Sequence, residues 1–244
     1  DGGVWVPGTG DSRVGRLNYP IQEIDGQFPA ASVDFDVIQQ GSDVFVVDEA
    51  LDRVDRVDPT TVLISAGANL PANHQVVLGG GALAVLDRST GQVHLTPTSN
   101  VAALEEEDRE PLLTLGAGGV IAVDEAGTLW GFAPETRTLQ SLTAEDAATL
   151  TEASAPLETD DQGAGEETEV ESGEAESPEP DPSDQEELPE PSVIDLTDSI
   201  IGGSDADLSQ ARIELSALGE KPVLLIEREV RADGSNESTA QVEI

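Results

Sequence analysis

The chain has 244 residues, with 50 acidic against 11 basic side chains and a formal net charge of −39. Cysteine is absent, which excludes disulfides and thiolate metal sites. The charge speaks against nucleic acid and anionic membrane surfaces as partners, since both need clustered lysine and arginine and Lys221 is the only lysine here.

Acidic composition with so little lysine fits a halophile or a high-GC bacterium, and the sequence does not separate the two. Methionine is absent as well, so the chain reads as a fragment or a processed product. No signal peptide and no apolar run near the length of a membrane span is present.

In chain order, the first element is GVWVPGTGDSRVGRLN at 3–18, a loose hairpin. A fuller version follows at 43–58, DVFVVDEALDRVDRVD, and the clearest at 79–96, GGGALAVLDRSTGQVHLT. There, Ala82–Leu86 has the length of a strand buried on both faces. Asp87 to Gly91 is a turn in which the Asp carboxylate caps backbone N–H groups and the glycine takes a positive φ. Gln92–Thr96 alternates as a half-exposed return strand.

Asp48 aligns with Asp87 without gaps, and Asp52 stands at the Gly91 position, where Asp tolerates the left-handed region. VIAVDEAGTLWGFAP at 120–134 aligns with one deletion, placing Asp124 on Asp87. The return-strand markers Val14, Val54, Val93 and Leu129 recur every 36–40 residues, the spacing of propeller blades. Further strands are expected at Phe35–Gln39, Thr61–Ser65, Gln75–Leu78 and Pro111–Leu115. Val101–Arg109 reads as one or two helical turns between the third and fourth copies.

Residues 1–142 are therefore expected to hold blades one to four, and 143–152 a short helix capped by Thr143. Residues 153–192 are dominated by Glu, Asp, Pro, Ser and Gly, and read as a disordered acidic insertion. Residues 193–244 read as a fifth blade, with strands at Arg212–Ser216, Pro222–Ile226 and Thr239–Ile244. The fold class expected is all-β. It is a β-propeller of about five blades, each with three to four antiparallel strands, in an incomplete ring.

GGVWV, FDVIQQGSDVFVVDEALDRVDRVDP and LGAGGVIAVDEAGTLWGFAPET together resemble the N-terminal propeller-like region of large actinobacterial proteins with Ig-like or fibronectin type III domains. The resemblance covers 1–140 and, weakly, 205–244. It implies a cell-surface or membrane-anchored protein with an upstream membrane segment and downstream β-sandwich domains. The family supplies no catalytic residues to carry over.

Candidate chemistry is sparse. His74 and His94 are the only histidines. His94 sits where Asp55 and Trp130 stand in other copies, a position read as surface. The glycine clusters 79–81 and 116–119 lack a P-loop lysine and read as turns. Asp48, Asp87 and Asp124 could gather cations if they ring one face, but turn capping accounts for them. Asp233-x-Ser235-x-Glu237 departs from a calcium loop. Trp5, Phe45, Trp130 and Phe132 read as interblade core.

No catalytic, cofactor or metal residues are assigned, and the function expected is a non-catalytic scaffold that binds proteins, basic ones being favoured by the charge. The rival classes are a carbohydrate-binding lectin and a quinoprotein- or lactonase-type enzyme. Deleting residues 155–190 is expected to leave circular dichroism and melting temperature unchanged, because closure entropy changes slowly with loop length.

Overall fold

The computed structural model describes residues 3–8, 10, 12–18, 20–106, 109–143, 190–200, 207–209, 211–227, 229–232, 235–238 and 241–243, with the backbone alone beyond 227. The architecture is all-β, a succession of antiparallel blades of the β-propeller class. The first sheet is β1 (Gly3–Gly8), β2 (Arg13–Asn18) and β3 (Glu23–Pro29), in that order. The second is β4 (Phe35–Gln40), β5 (Asp43–Asp48), β6 (Arg53–Asp58) and β7 (Leu63–Asn69). The third is β8 (His74–Gly79), β9 (Ala82–Asp87), β10 (Gln92–Pro97) and the short β11 (Leu113–Thr114).

The fourth sheet is β12 (Val120–Val123), β13 (Leu129–Ala133), β14 (Thr138–Leu142) and β15 (Ser192–Asp195). The fifth pairs β16 (Arg212–Leu218) with β17 (Lys221–Glu227) and β17 with β20 (Gln241–Glu243). A separate hairpin of β18 (Glu229–Ala232) and β19 (Ser235–Ser238) lies between them in sequence. Among the described residues no helix is long and apolar enough to cross a membrane.

The strand pattern follows from two-sided burial. In β5, Val44 and Val46 pack with Trp5, Val14 and Phe28 of the first sheet. The alternate residues Phe45 and Val47 pack with Leu83 and Val85 of the third. In β9 the other pair, Ala84 and Leu86, turns to Ile121 and Leu129 of the fourth sheet. Phe132 and Leu139 then meet Leu215, Leu224 and Ile226 of the fifth. Each seam is thus one apolar cluster, and period-2 alternation feeds two clusters from one strand.

Side-chain amides reinforce two seams. Gln39 donates to the Gly3 carbonyl and accepts from Trp5 N–H, both at 3.0 Å. Gln75 treats Ile121 likewise, donating to its carbonyl at 3.0 Å and accepting from its N–H at 3.3 Å. Each amide does for a neighbouring strand what another strand would.

The first two sheets match at a constant spacing of 40 residues. Ser12 and Asp52 both have positive φ, at 51° and 47°, as do Gln22 and Val62, at 55° and 58°. The bulge between Arg16 and Leu17 recurs between Arg56 and Val57. The copy that looks loosest in sequence is therefore a close match in backbone.

Three expectations are corrected. Leu113–Thr114 pairs with β10 and is the outer strand of the third sheet, not the first strand of the fourth. Asp124 accordingly lies between the first and second strands of its sheet, and Ala133 ends the strand equivalent to the one Asp87 ends. The cause is the extra segment after β10. Residues 98–112, including a 3₁₀ turn at Val101–Glu105, enlarge the third sheet and displace the repeat. Lastly, Ser192–Asp195 pairs with β14, so the acidic tract separates two strands of the fourth sheet instead of separating the fourth sheet from the fifth. The expected helix over 143–152, the tract at 153–189 and the Asp233-Gly234 turn lie outside the described residues.

Gly91 has φ +77°, as the turn requires, and a Cβ there would collide with the Gly116 backbone. Gly81 has φ +78° with nothing within 4 Å of an added Cβ. Gly81→Ala is expected to cost about 1–2 kcal/mol of left-handed strain. Gly91→Ala adds a backbone collision and should cost at least about 1 kcal/mol more, read as the difference between the two denaturant midpoints.

Candidate functional site

The recurrent carboxylates serve their own turns. Asp48 is buried, and its Oδ1 accepts from Leu51 N–H at 3.0 Å and from the Ser32 hydroxyl at 2.7 Å. Asp87 accepts from Ser89 N–H at 2.7 Å. Asp124, also buried, takes Thr128 N–H at 2.8 Å on one oxygen and the Trp130 indole N–H at 3.1 Å on the other. Asp48 and Asp87 close hairpins between second and third strands, whereas Asp124 closes one between first and second strands. The three do not form a ring on one face. Among the described residues no group of three or more His, Asp or Glu side chains is placed to hold a metal ion.

The histidines are apart and embedded. The His74 side chain is 2% exposed at the seam between the second and third sheets. Its Nδ1 donates to the Pro71 carbonyl at 2.8 Å, and its Nε2 lies 3.4 Å from a Glu49 carboxylate oxygen. His94 is half-buried on β10, where the sequence reads as open surface. Its Nδ1 makes no hydrogen bond. Burial lowers its pKa, and the charge of Arg109 lowers it further. Arg109 is itself fixed by the carbonyls of Ala103, at 3.0 Å, and Leu95.

Trp5, Phe45 and Phe132 are buried in the seam clusters, and Trp130 packs against the last of them. Glycines 79–81 and 116–119 form turns. Gly79 and Gly80 lie against the backbone of the Asp124–Gly127 turn, and Gly91 lies against Gly116.

A concave surface with a volume of about 700 Å³ lies between the fourth and fifth sheets. Its floor is apolar, made by Val120, Leu208, Ala211 and Ile213. Three arginines reach it from turns far apart in sequence. Arg88 follows β9, Arg137 precedes β14 with φ +55°, and Arg212 opens β16. Glu135 and Asp207 complete the charged rim. A second cavity of about 490 Å³ shares Arg88, Val120 and Ile213 with the first.

Among the described residues, Ser209 supplies the hydroxyl of the larger cavity, and no histidine or lysine lines it. Such a surface can hold an anion with an apolar body, since guanidinium groups bind oxyanions in pairs of parallel hydrogen bonds. No sequence motif marks it. Arg88, Arg137 and Arg212 read singly as turn and strand-end residues, and only the stacking of neighbouring blades brings them to one place.

No protein-family profile and no curated protein matches the chain. Solved structures do. Virginiamycin B lyase from Staphylococcus aureus is 12% identical over 98% of this chain and 66% of its own, with a TM-score of 0.46. The dihydro-heme d1 dehydrogenase NirN is 15% identical over 57% of this chain, with a TM-score of 0.44, and Kuenenia stuttgartiensis hydrazine synthase is 14% identical over 59%, with 0.42. The chain spans 31% and 44% of the length of the last two. None of the activities in those names is carried over to this chain.

His94 makes a pH prediction. Its folded pKa lies below the ordinary 6.5, so the unfolded chain takes up the proton first. Its contribution to stability is complete above pH 6.5 and is lost as pH falls through the folded value. His94→Gln should flatten the fall in melting temperature just below pH 6.5, a window above that of the carboxylates. An unchanged slope in that window would show that His94 is not its source.

Proposed function

We propose that this chain is a non-catalytic recognition segment, a propeller scaffold that presents surface to other proteins within a larger bacterial cell-surface or membrane-anchored protein. One observation carries the reading. The side chains best suited to acid–base chemistry are spent on the fold. Asp48 and Asp124 hold turns, and His74 ties a seam. The cavity between the fourth and fifth sheets combines three arginines and apolar groups with Glu135 and Asp207 on its rim, a lining that suits binding.

The protein partners are basic. A net charge of −39 raises the encounter rate with cations and with basic proteins and holds off polyanions. The placement in a large surface protein rests on the resemblance of 1–140 alone.

The test uses the full-length protein purified with its native metals. A defined basic partner is expected to co-purify, with affinity falling steeply as salt rises through the range where the screening length shortens to about 10 Å and below. Stoichiometric transition metal or quinone, together with saturable turnover that is lost on mutating cavity residues, would overturn the reading.

A further inference from the structure

Most arginines of this chain whose partners can be named serve the fold. Arg16 holds Asp25 at 2.7 Å, Arg53 holds Asp55 at 2.8 Å, and Arg56 reaches Asp43 at 3.5 Å. Arg109 ties backbone carbonyls. Arg88 differs. It is half-buried, lies on the wall common to both cavities, and makes no side-chain hydrogen bond or ion pair among the described residues. Its guanidinium is thus open to an anion that enters the cleft.

The neighbouring charges set the valence of what Arg88 can take. Arg212 already engages Glu214 at 2.5 Å. Arg137 lies close enough to Asp195 to lower its pKa, behind the hydrogen bonds from Thr197 that dominate that shift. Glu135 and Asp207 stand on the rim. Arg212 and Arg137 thus have Glu214 and Asp195 beside them, and Arg88 is the arginine of the cleft that has no carboxylate partner among the described residues. One negative charge can pair with Arg88, and a second meets repulsion from Glu135 and Asp207. Beside Arg88, Val120 and Ile213 continue the apolar floor toward Leu208 and Ala211.

We propose that the cleft between the fourth and fifth sheets binds a singly charged carboxylate attached to an apolar body. The carboxylate pairs with the Arg88 guanidinium, and the body lies on Val120, Leu208, Ala211 and Ile213. The ligand is either a free acid or the carboxyl terminus of a peptide, which share this chemistry. The site does not depend on the basic-partner reading, because it uses the opposite charge on a different surface.

Calorimetry on the whole chain tests this with N-acetyl-leucine, N-acetyl-leucinamide, a leucine-terminated tetrapeptide as acid and as amide, and inorganic phosphate. The acids are expected to bind saturably, the amides and phosphate more weakly by about tenfold or more. Arg88→Gln should lose about tenfold or more in acid affinity. Arg88→Lys should recover only part of it, because an ammonium lacks the planar fork. Both variants should keep the wild-type melting temperature, which shows that the blade seam is intact. Tighter binding of the peptide acid than of N-acetyl-leucine identifies a chain terminus as the source, and equal binding identifies a free acid. No saturable binding of either acid, equal binding of acid and amide, phosphate binding more tightly than both acids, or full affinity in Arg88→Gln would each overturn the proposal.

Discussion

A strand that is apolar on both faces can be buried only between two neighbours, and β5, β9 and β13 are such strands. Val44 and Val46 look one way from β5 while Phe45 and Val47 look the other. The seams must then fit closely, and the backbone pays attention to them. Within the second sheet Gly67 pairs with Asp55, and an added Cβ there would meet the Asp55 carboxylate and the Arg53 guanidinium and displace them. Asp55 is pushed toward the neutral form by burial and held back by Arg53.

What could be read in the sequence was what is local. The hairpins at 43–58 and 79–96 announce themselves by apolar runs and Asp-initiated turns, and the structure forms both. Where the reading slipped, two turns of similar composition competed. Asp124-Glu125-Ala126-Gly127 looks more like the Asp87 turn than Pro134-Glu135-Thr136-Arg137 does, yet the second occupies its place. The decisive fact was the length of the segment after β10, which no residue type advertises. In the first sheet the opposite happened. Ser12 and Gln22 share little with Asp52 and Val62 as side chains, but share their left-handed conformations. Backbone geometry is inherited there more faithfully than residue identity.

The cleft was illegible for a different reason. Its charges come from positions 88, 137 and 212, each ordinary in its own turn. Only the order of blades around the arc makes them neighbours. The same stacking separates the two signs of charge. Carboxylates such as Asp48, Asp87 and Asp124 are drawn into turn backbones, where N–H groups satisfy them. Arg88, Arg137 and Arg212 come together where the fourth and fifth sheets meet. The surplus of acid over base thus coexists with a cleft that gathers three arginines beside Glu135 and Asp207.

The location of the acidic tract also has a consequence for synthesis. β14 ends at Leu142 and its partner β15 begins at Ser192, so residues 143–191 must be made before the fourth sheet can close. At ordinary elongation rates that interval lasts roughly 2–10 s, whereas a hairpin forms in about 1–10 μs. On the ribosome, the outer edge of β14 therefore waits for seconds as an open template beside finished blades. A bare edge invites pairing with other chains. The residues that follow β14 from the ribosome during that wait are dense in like charge, from Glu145 and Asp146 to Glu186 and Glu187, and repulsion between nascent chains keeps that edge clear until its own strand arrives.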